Sequence, residues 1–160
     1  MGHMELGDYL NKFVEFLRSS KKASATTIAY KKDIDQLLEY LKKAGRNNIK
    51  DVTSDDLNNF LALLHTQNYT PKSISRKINS IKTFYRFLVL NKYTDNNVAA
   101  AVSHPKFDTK APRILTRMEY RALRDACRED TRIAAVVELL LQTGMRIGEL
   151  AALTLSSISD

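Results

Sequence analysis

Near the end of the chain a single arginine stands between two glycines in an otherwise apolar helical pattern, Thr143-Gly144-Met145-Arg146-Ile147-Gly148-Glu149-Leu150-Ala151-Ala152-Leu153-Thr154. Gly144 predicts the end of one helix. Arg146 then falls in the first turn of the next, whose Leu150 and Leu153 face a core. A guanidinium placed there is planar, permanently charged and aimed out of the helix start, which suits bidentate contact with a phosphate. Glu149, three residues on, can hold its orientation. The same spacing also fits a structural Arg–Glu pair on an ordinary helix surface, so the residues by themselves leave two readings open.

A second group of candidate side chains lies on a helix opened by Thr70-Pro71, with proline in the first turn where its missing N–H costs nothing. Counted at 100° per residue from Ile74, the residues Ile78, Ile81, Tyr85 and Leu88 share one side. Lys72, Ser75, Arg76, Asn79, Thr83 and Arg86 fall on the other. Each of these six can donate a hydrogen bond, and a helix with such a face fits the major groove of B-DNA, reaching base edges or phosphates. Charge points the same way. Residues 1–94 hold 16 Lys and Arg against 9 Asp and Glu, whereas residues 113–160 hold 7 of each, so the net charge of +7 belongs to the first part. No acid occurs between Asp56 and Asp95, a one-signed stretch that attracts a polyanion. A solvated basic surface, or a helical module that binds an acidic protein, is the competing reading.

The elements that must position these groups are helices almost throughout. The first, over about Glu5 to Ser19, aligns Leu6, Leu10, Phe13 and Leu17 at 3.6-residue spacing. The second begins with Ser24 as N-cap and runs to about Ala44, with Ile34, Leu37, Leu38 and Leu41 as its stripe and Gly45 as its stop. Thr53 or Ser54 caps a third carrying Leu57, Phe60, Leu61 and Leu64, and the Thr70-Pro71 helix is the fourth. Four amphipathic helices with short joints make a bundle. Asp95 to Val102 reads as a short helix or turn, and Ser103 to Arg113, with Pro105 and Pro112, as an extended linker. Thr116 caps a helix to about Arg128, Asp130 or Thr131 starts another that ends near Gly144, and a last one runs from Arg146 to about Leu153.

The TG-x-R-x-x-E-L-x-x-L pattern around Arg146, preceded by the apolar run Ala134 to Leu141, resembles the first arginine motif of the tyrosine recombinases, the phage integrase family, and of its Xer-type members especially. Asn97 to Lys106, followed by Pro112-Arg113-Ile114-Leu115-Thr116, is similar to the linker between that family's DNA-clasping and catalytic domains. The resemblance covers residues 5–158 and implies an all-α plan. A four-helix orthogonal bundle of the SAM-like, core-binding type spans 5–102, a linker 103–113, and the opening helices of a catalytic domain 114–160. It implies Arg146 as a catalytic contact to the scissile phosphate, oriented by Glu149. It also implies a second DNA-facing helix, with Thr26, Thr27, Lys31 and Lys32 near its start. Ser157 departs from the aspartate many relatives place before the isoleucine matched by Ile158.

The family's lysine, His-x-x-Arg box and tyrosine nucleophile follow this arginine, and the sequence stops at Asp160. The expectation is a chain that binds double-stranded DNA without cutting it and whose residues 114–160 leave apolar surface open to self-association. A truncated regulator that occupies DNA sites is a further alternative. No cofactor is expected, since the five glycines are dispersed and form no phosphate loop. No metal is expected either: one cysteine, Cys127, and scattered histidines such as His65 and His104 give no ligand spacing. The absence of a long apolar run or signal peptide favours a cytoplasmic protein, and Met1-Gly2-His3-Met4 looks like a cloning remnant.

Overall fold

A computed structural model describes residues 4–106 and 111–157, and all regular structure among them is helical. The chain divides into two compact units, residues 1–108 and 109–160. Residues 1–3, the centre of the linker and the match at Ile158 lie outside the described residues.

The first unit contains α1 (Leu6–Ser19), α2 (Ser24–Lys43), a one-turn 3-10 helix at Ile49–Asp51, α3 (Ser54–Thr66) and α4 (Pro71–Leu90). Helix α2 packs on α1, α3 and α4, and α1 also meets α4. The stripes read from the sequence form the core: Leu6, Phe13, Leu17, Ile34, Leu37, Leu41, Leu57, Leu64, Ile78 and Leu88 are each at most 1% exposed. Phe13 is its aromatic centre, edge-on to Phe84 at 5.1 Å and tilted to Phe87 at 5.5 Å, which ties α1 to α4. Residues 95–102 form turns rather than a helix and cover the bundle with the buried side chains of Ala99 and Val102.

Local chemistry fixes the boundaries. The Thr53 hydroxyl accepts from the Asp56 N–H while Asp56 accepts from the Thr53 N–H, a capping box that starts α3. Thr70 Oγ1 accepts from the Ser73 N–H and Pro71 occupies the first turn of α4. All four bundle helices end alike. Lys21, Gly45, Asn68 and Lys92 adopt positive φ of 53°, 78°, 60° and 57°. The next N–H in each case returns to a carbonyl five residues back, as in Arg46 to Leu41 at 2.8 Å and Tyr93 to Leu88 at 2.9 Å. One start differs from expectation. Ala23, with extended backbone, is the N-cap of α2, and Ser24 is already helical and makes no cap bond. The left-handed turn at Lys21 makes Lys22 and Ala23 the whole connection, so the helix begins one residue early.

Tyr85 carries a polar group the core does not satisfy. It is 1% exposed, its hydroxyl has no hydrogen-bond partner among the described residues, and burial, then the nearby Asp56 charge, push its ionisation far above the usual tyrosine range. Such a group costs desolvation without return, whereas its ring fills the core. Tyr85→Phe is expected to leave the bundle as stable or more stable by about 1 kcal/mol, read from urea denaturation. A loss of similar size would mean that the hydroxyl has a partner after all.

The second unit holds α5 (Arg117–Ala126), α6 (Thr131–Thr143), α7 (Ile147–Ala151) and a 3-10 turn at Leu155–Ser157. Thr116 and Glu119 form a capping box for α5, and Asp130 accepts from the Arg132 and Ile133 N–H groups at the start of α6. Gly144 ends α6 at φ 66°, a conformation that favours glycine. Helix α7 is shorter than the predicted Arg146–Leu153. No described residue of this unit is buried, and Ile114, Met118, Ile147 and Leu155 are 86, 78, 68 and 91% exposed.

Candidate nucleic-acid interface

The predicted phosphate contact Arg146 and its predicted orienting partner Glu149 stand at the start of α7. Arg146 is the N-cap, its backbone N–H donating to Glu149 Oε2 at 2.8 Å and its Nη1 to Oε1 at 3.0 Å. Both donations hold the Glu149 carboxyl below its ordinary pKa, that of the backbone N–H first. The Arg146 side chain is nevertheless 86% exposed. One edge of the guanidinium is therefore oriented by Glu149 and the rest is open to an anion, an arrangement in which the two readings of this pair coexist.

On α4 the outward residues sort into free and engaged groups. Lys72, Asn79 and Arg86 are exposed. Thr83 is half-buried and its hydroxyl donates back to the Asn79 carbonyl at 2.8 Å. Ser75 Oγ lies 2.9 Å from His104 Nδ1, so the segment leaving the bundle is tied to the α4 face. His104, which offers no metal-ligand spacing, is exposed and belongs to this face. Arg76 is 47% exposed at its side chain and Nη1 donates to Asp33 Oδ2 at 2.5 Å.

On α2, Lys31 and Lys32 are exposed and Thr26 is half-buried. Thr27 needs correction: it is 6% exposed, with its hydroxyl directed to the Ala23 carbonyl. It stands seven residues before Ile34, two helical turns on the same inward face, so it cannot belong to an outward surface.

Sequence reasoning missed a buried polar cluster between α2 and α4. Asp33, Lys77 and Ser80 are 1, 4 and 0% exposed. Asp33 Oδ1 accepts from Lys77 Nζ at 3.0 Å, and Oδ2 accepts from Ser80 Oγ at 2.7 Å as well as from Arg76. Lys77 Nζ also donates to Gln36 Oε1 at 2.6 Å and lies 5.2 Å from the centre of the Tyr69 ring. A signal for it was present. Phe84 and Phe87 widen the apolar arc of α4 to about 180°, and Lys77 and Ser80 fall inside that arc. Arg76 is at its border.

The fold and this surface together define the class. The chain belongs to the phage integrase family, matching its N-terminal SAM-like domain over residues 10–92. Among relatives, it is 35% identical over 154 residues to the tyrosine recombinase XerC of Anoxybacillus flavithermus, covering 93% of this chain and 51% of the relative. It is 31% identical over 157 residues to the tyrosine recombinase XerD of Rickettsia bellii, covering 94% and 51%. A lambda integrase tetramer bound to a Holliday junction shares the fold, with a TM-score of 0.78 at 22% identity, over 98% of this chain and 46% of that one. The chain spans about half the length of the curated relatives it matches.

Proposed function

We propose that the first unit clasps duplex DNA and that the chain is the DNA-binding part of a site-specific tyrosine recombinase, which cuts and rejoins DNA through a phosphotyrosine link. The observation that carries this reading is the α4 face. Lys72, Asn79 and Arg86 stand exposed on one helix, with no acid anywhere between Asp56 and Asp95. Lys31 and Lys32 add positive charge from α2. The lambda integrase with this fold was solved on a DNA junction as a tetramer, which supports both the partner and oligomeric action of the complete recombinase.

Within this reading, residues 5–102 form the clasping domain, 103–113 the linker, and 114–160 the start of the catalytic domain. Arg146, steadied by Glu149, contacts the scissile phosphate and stabilises charge as it builds in the transition state. The exposed apolar side chains of residues 114–157 support self-association of this chain, which sedimentation across a concentration series reads out. No helix among the described residues is long and apolar enough to cross a membrane, and the proposed compartment is the cytoplasm.

The test is binding to a labelled duplex of about three helical turns across a salt series, for wild type and a Lys72→Ala, Arg86→Ala double variant. Phosphate-dominated binding weakens as roughly the 0.9Z power of salt for Z neutralised phosphates, and losing both contacts is expected to flatten that slope by about two. Binding that is absent at low salt, or indifferent to both substitutions, would move this face off DNA and favour a protein partner.

A further inference from the structure

Two cations meet one carboxylate at the seam between α2 and α4, so the buried cluster carries an unneutralised positive charge. Lys77 cannot present that charge outward: it is 4% exposed and held by Asp33, Gln36 and the Tyr69 ring. Arg76 can, because its guanidinium is fixed to Asp33 at one nitrogen while half of its side chain reaches solvent beside Asn79 and Lys72 on the candidate face. Side-chain entropy is a main cost of using a long cationic side chain as a contact. A charged hydrogen bond to a buried carboxylate that two other donors, Lys77 and Ser80, already hold removes that cost before the ligand arrives.

We propose that Asp33 is a positioning residue for nucleic-acid binding, holding Arg76 in one orientation so that its free edge meets a backbone phosphate of duplex DNA. The proposal rests on the DNA-binding reading above. Asp33 touches no ligand itself and acts through Arg76. It also couples the helices, because the carboxylate that orients a side chain of α4 belongs to α2.

The sign of one substitution separates positioning from simple charge. Asp33→Asn raises the net charge by one and frees Arg76 from its counterion, so electrostatics alone predicts tighter binding. Positioning predicts the reverse, since the amide that replaces the carboxylate either turns its NH₂ donor toward the guanidinium and Ser80, or keeps a neutral oxygen there and turns that donor against Lys77 Nζ.

The experiment is fluorescence anisotropy on the same labelled duplex at low salt, with helicity checked by circular dichroism, for wild type, Asp33→Asn, Arg76→Ala and the double variant. The expected result is binding about fivefold weaker for Asp33→Asn, and less than about twofold further change when that substitution is added to Arg76→Ala. Binding by Asp33→Asn that equals or exceeds wild type overturns the proposal, as does an equal loss in both backgrounds. Should Asp33→Asn fail to fold, Arg76→Lys decides. It keeps the charge on a half-exposed site, and it is expected to bind as weakly as Arg76→Ala within about twofold, whereas wild-type affinity would overturn the idea. A folded wild-type chain that binds no duplex would sink the DNA-binding reading itself, and the proposal with it.

Discussion

Replacing Asp33 with alanine is expected to lower the unfolding free energy of the bundle by about 3–5 kcal/mol, the range for breaking a buried ion pair from one side. The cost comes from what stays behind. Lys77 remains 4% exposed with only Gln36 Oε1 as an acceptor, and Arg76 loses its anchor. Ser80 suffers least, because its hydroxyl also reaches the Arg76 carbonyl at 3.2 Å. A loss on this scale is a large share of the stability of an ordinary domain. Urea denaturation followed by far-ultraviolet circular dichroism measures it, and a loss below about 1 kcal/mol would show that water enters the seam and solvates Lys77.

Phe13→Ala is expected to be as damaging, at about 3–5 kcal/mol, for an unrelated reason. Phe13 is completely buried and touches both Phe84 and Phe87, so truncation removes apolar burial and the aromatic contacts while leaving a cavity. The surrounding helices cannot close that space cheaply, since α1 is also held by Leu6, Leu10 and Leu17 on the same stripe. The same denaturation measurement applies. A cost under about 2 kcal/mol would mean that α1 shifts onto α4 and fills the void.

Periodicity read this fold well where one signal decided the outcome. The stripes of α1 to α4, the Thr53 and Thr70 caps and the stops at Gly45 and Gly144 follow from spacing and turn chemistry acting within a few residues. Two helix starts and lengths were less legible. The connection before α2 is so short that Ala23 caps it without a side-chain acceptor, and α7 closes after five residues. The candidate site was legible as a face and not as individual contacts. A helical wheel drawn from Ile78, Ile81, Tyr85 and Leu88 is too narrow, because it omits Phe84 and Phe87. It therefore gives no warning that Lys77 is inside or that Arg76 borders α2. Partners such as Asp33 for Arg76 and His104 for Ser75, 43 and 29 residues away in sequence, depend on tertiary packing and leave no local trace. Thr27 is a different kind of miss, since its register with Ile34 was available from the same periodicity.

The absence of buried side chains among the described residues of the second unit bears on how the chain responds to temperature. The heat-capacity increment of unfolding arises from apolar surface newly wetted, and side chains already in water contribute little to it. Among the described residues the increment is therefore expected to come mostly from the first unit, near the roughly 1.2–1.5 kcal/mol/K of a 100-residue domain, with a smaller share from half-buried side chains such as Val137 and Leu141. Curvature of stability with temperature, and with it the temperature of greatest stability, is then expected to follow the bundle.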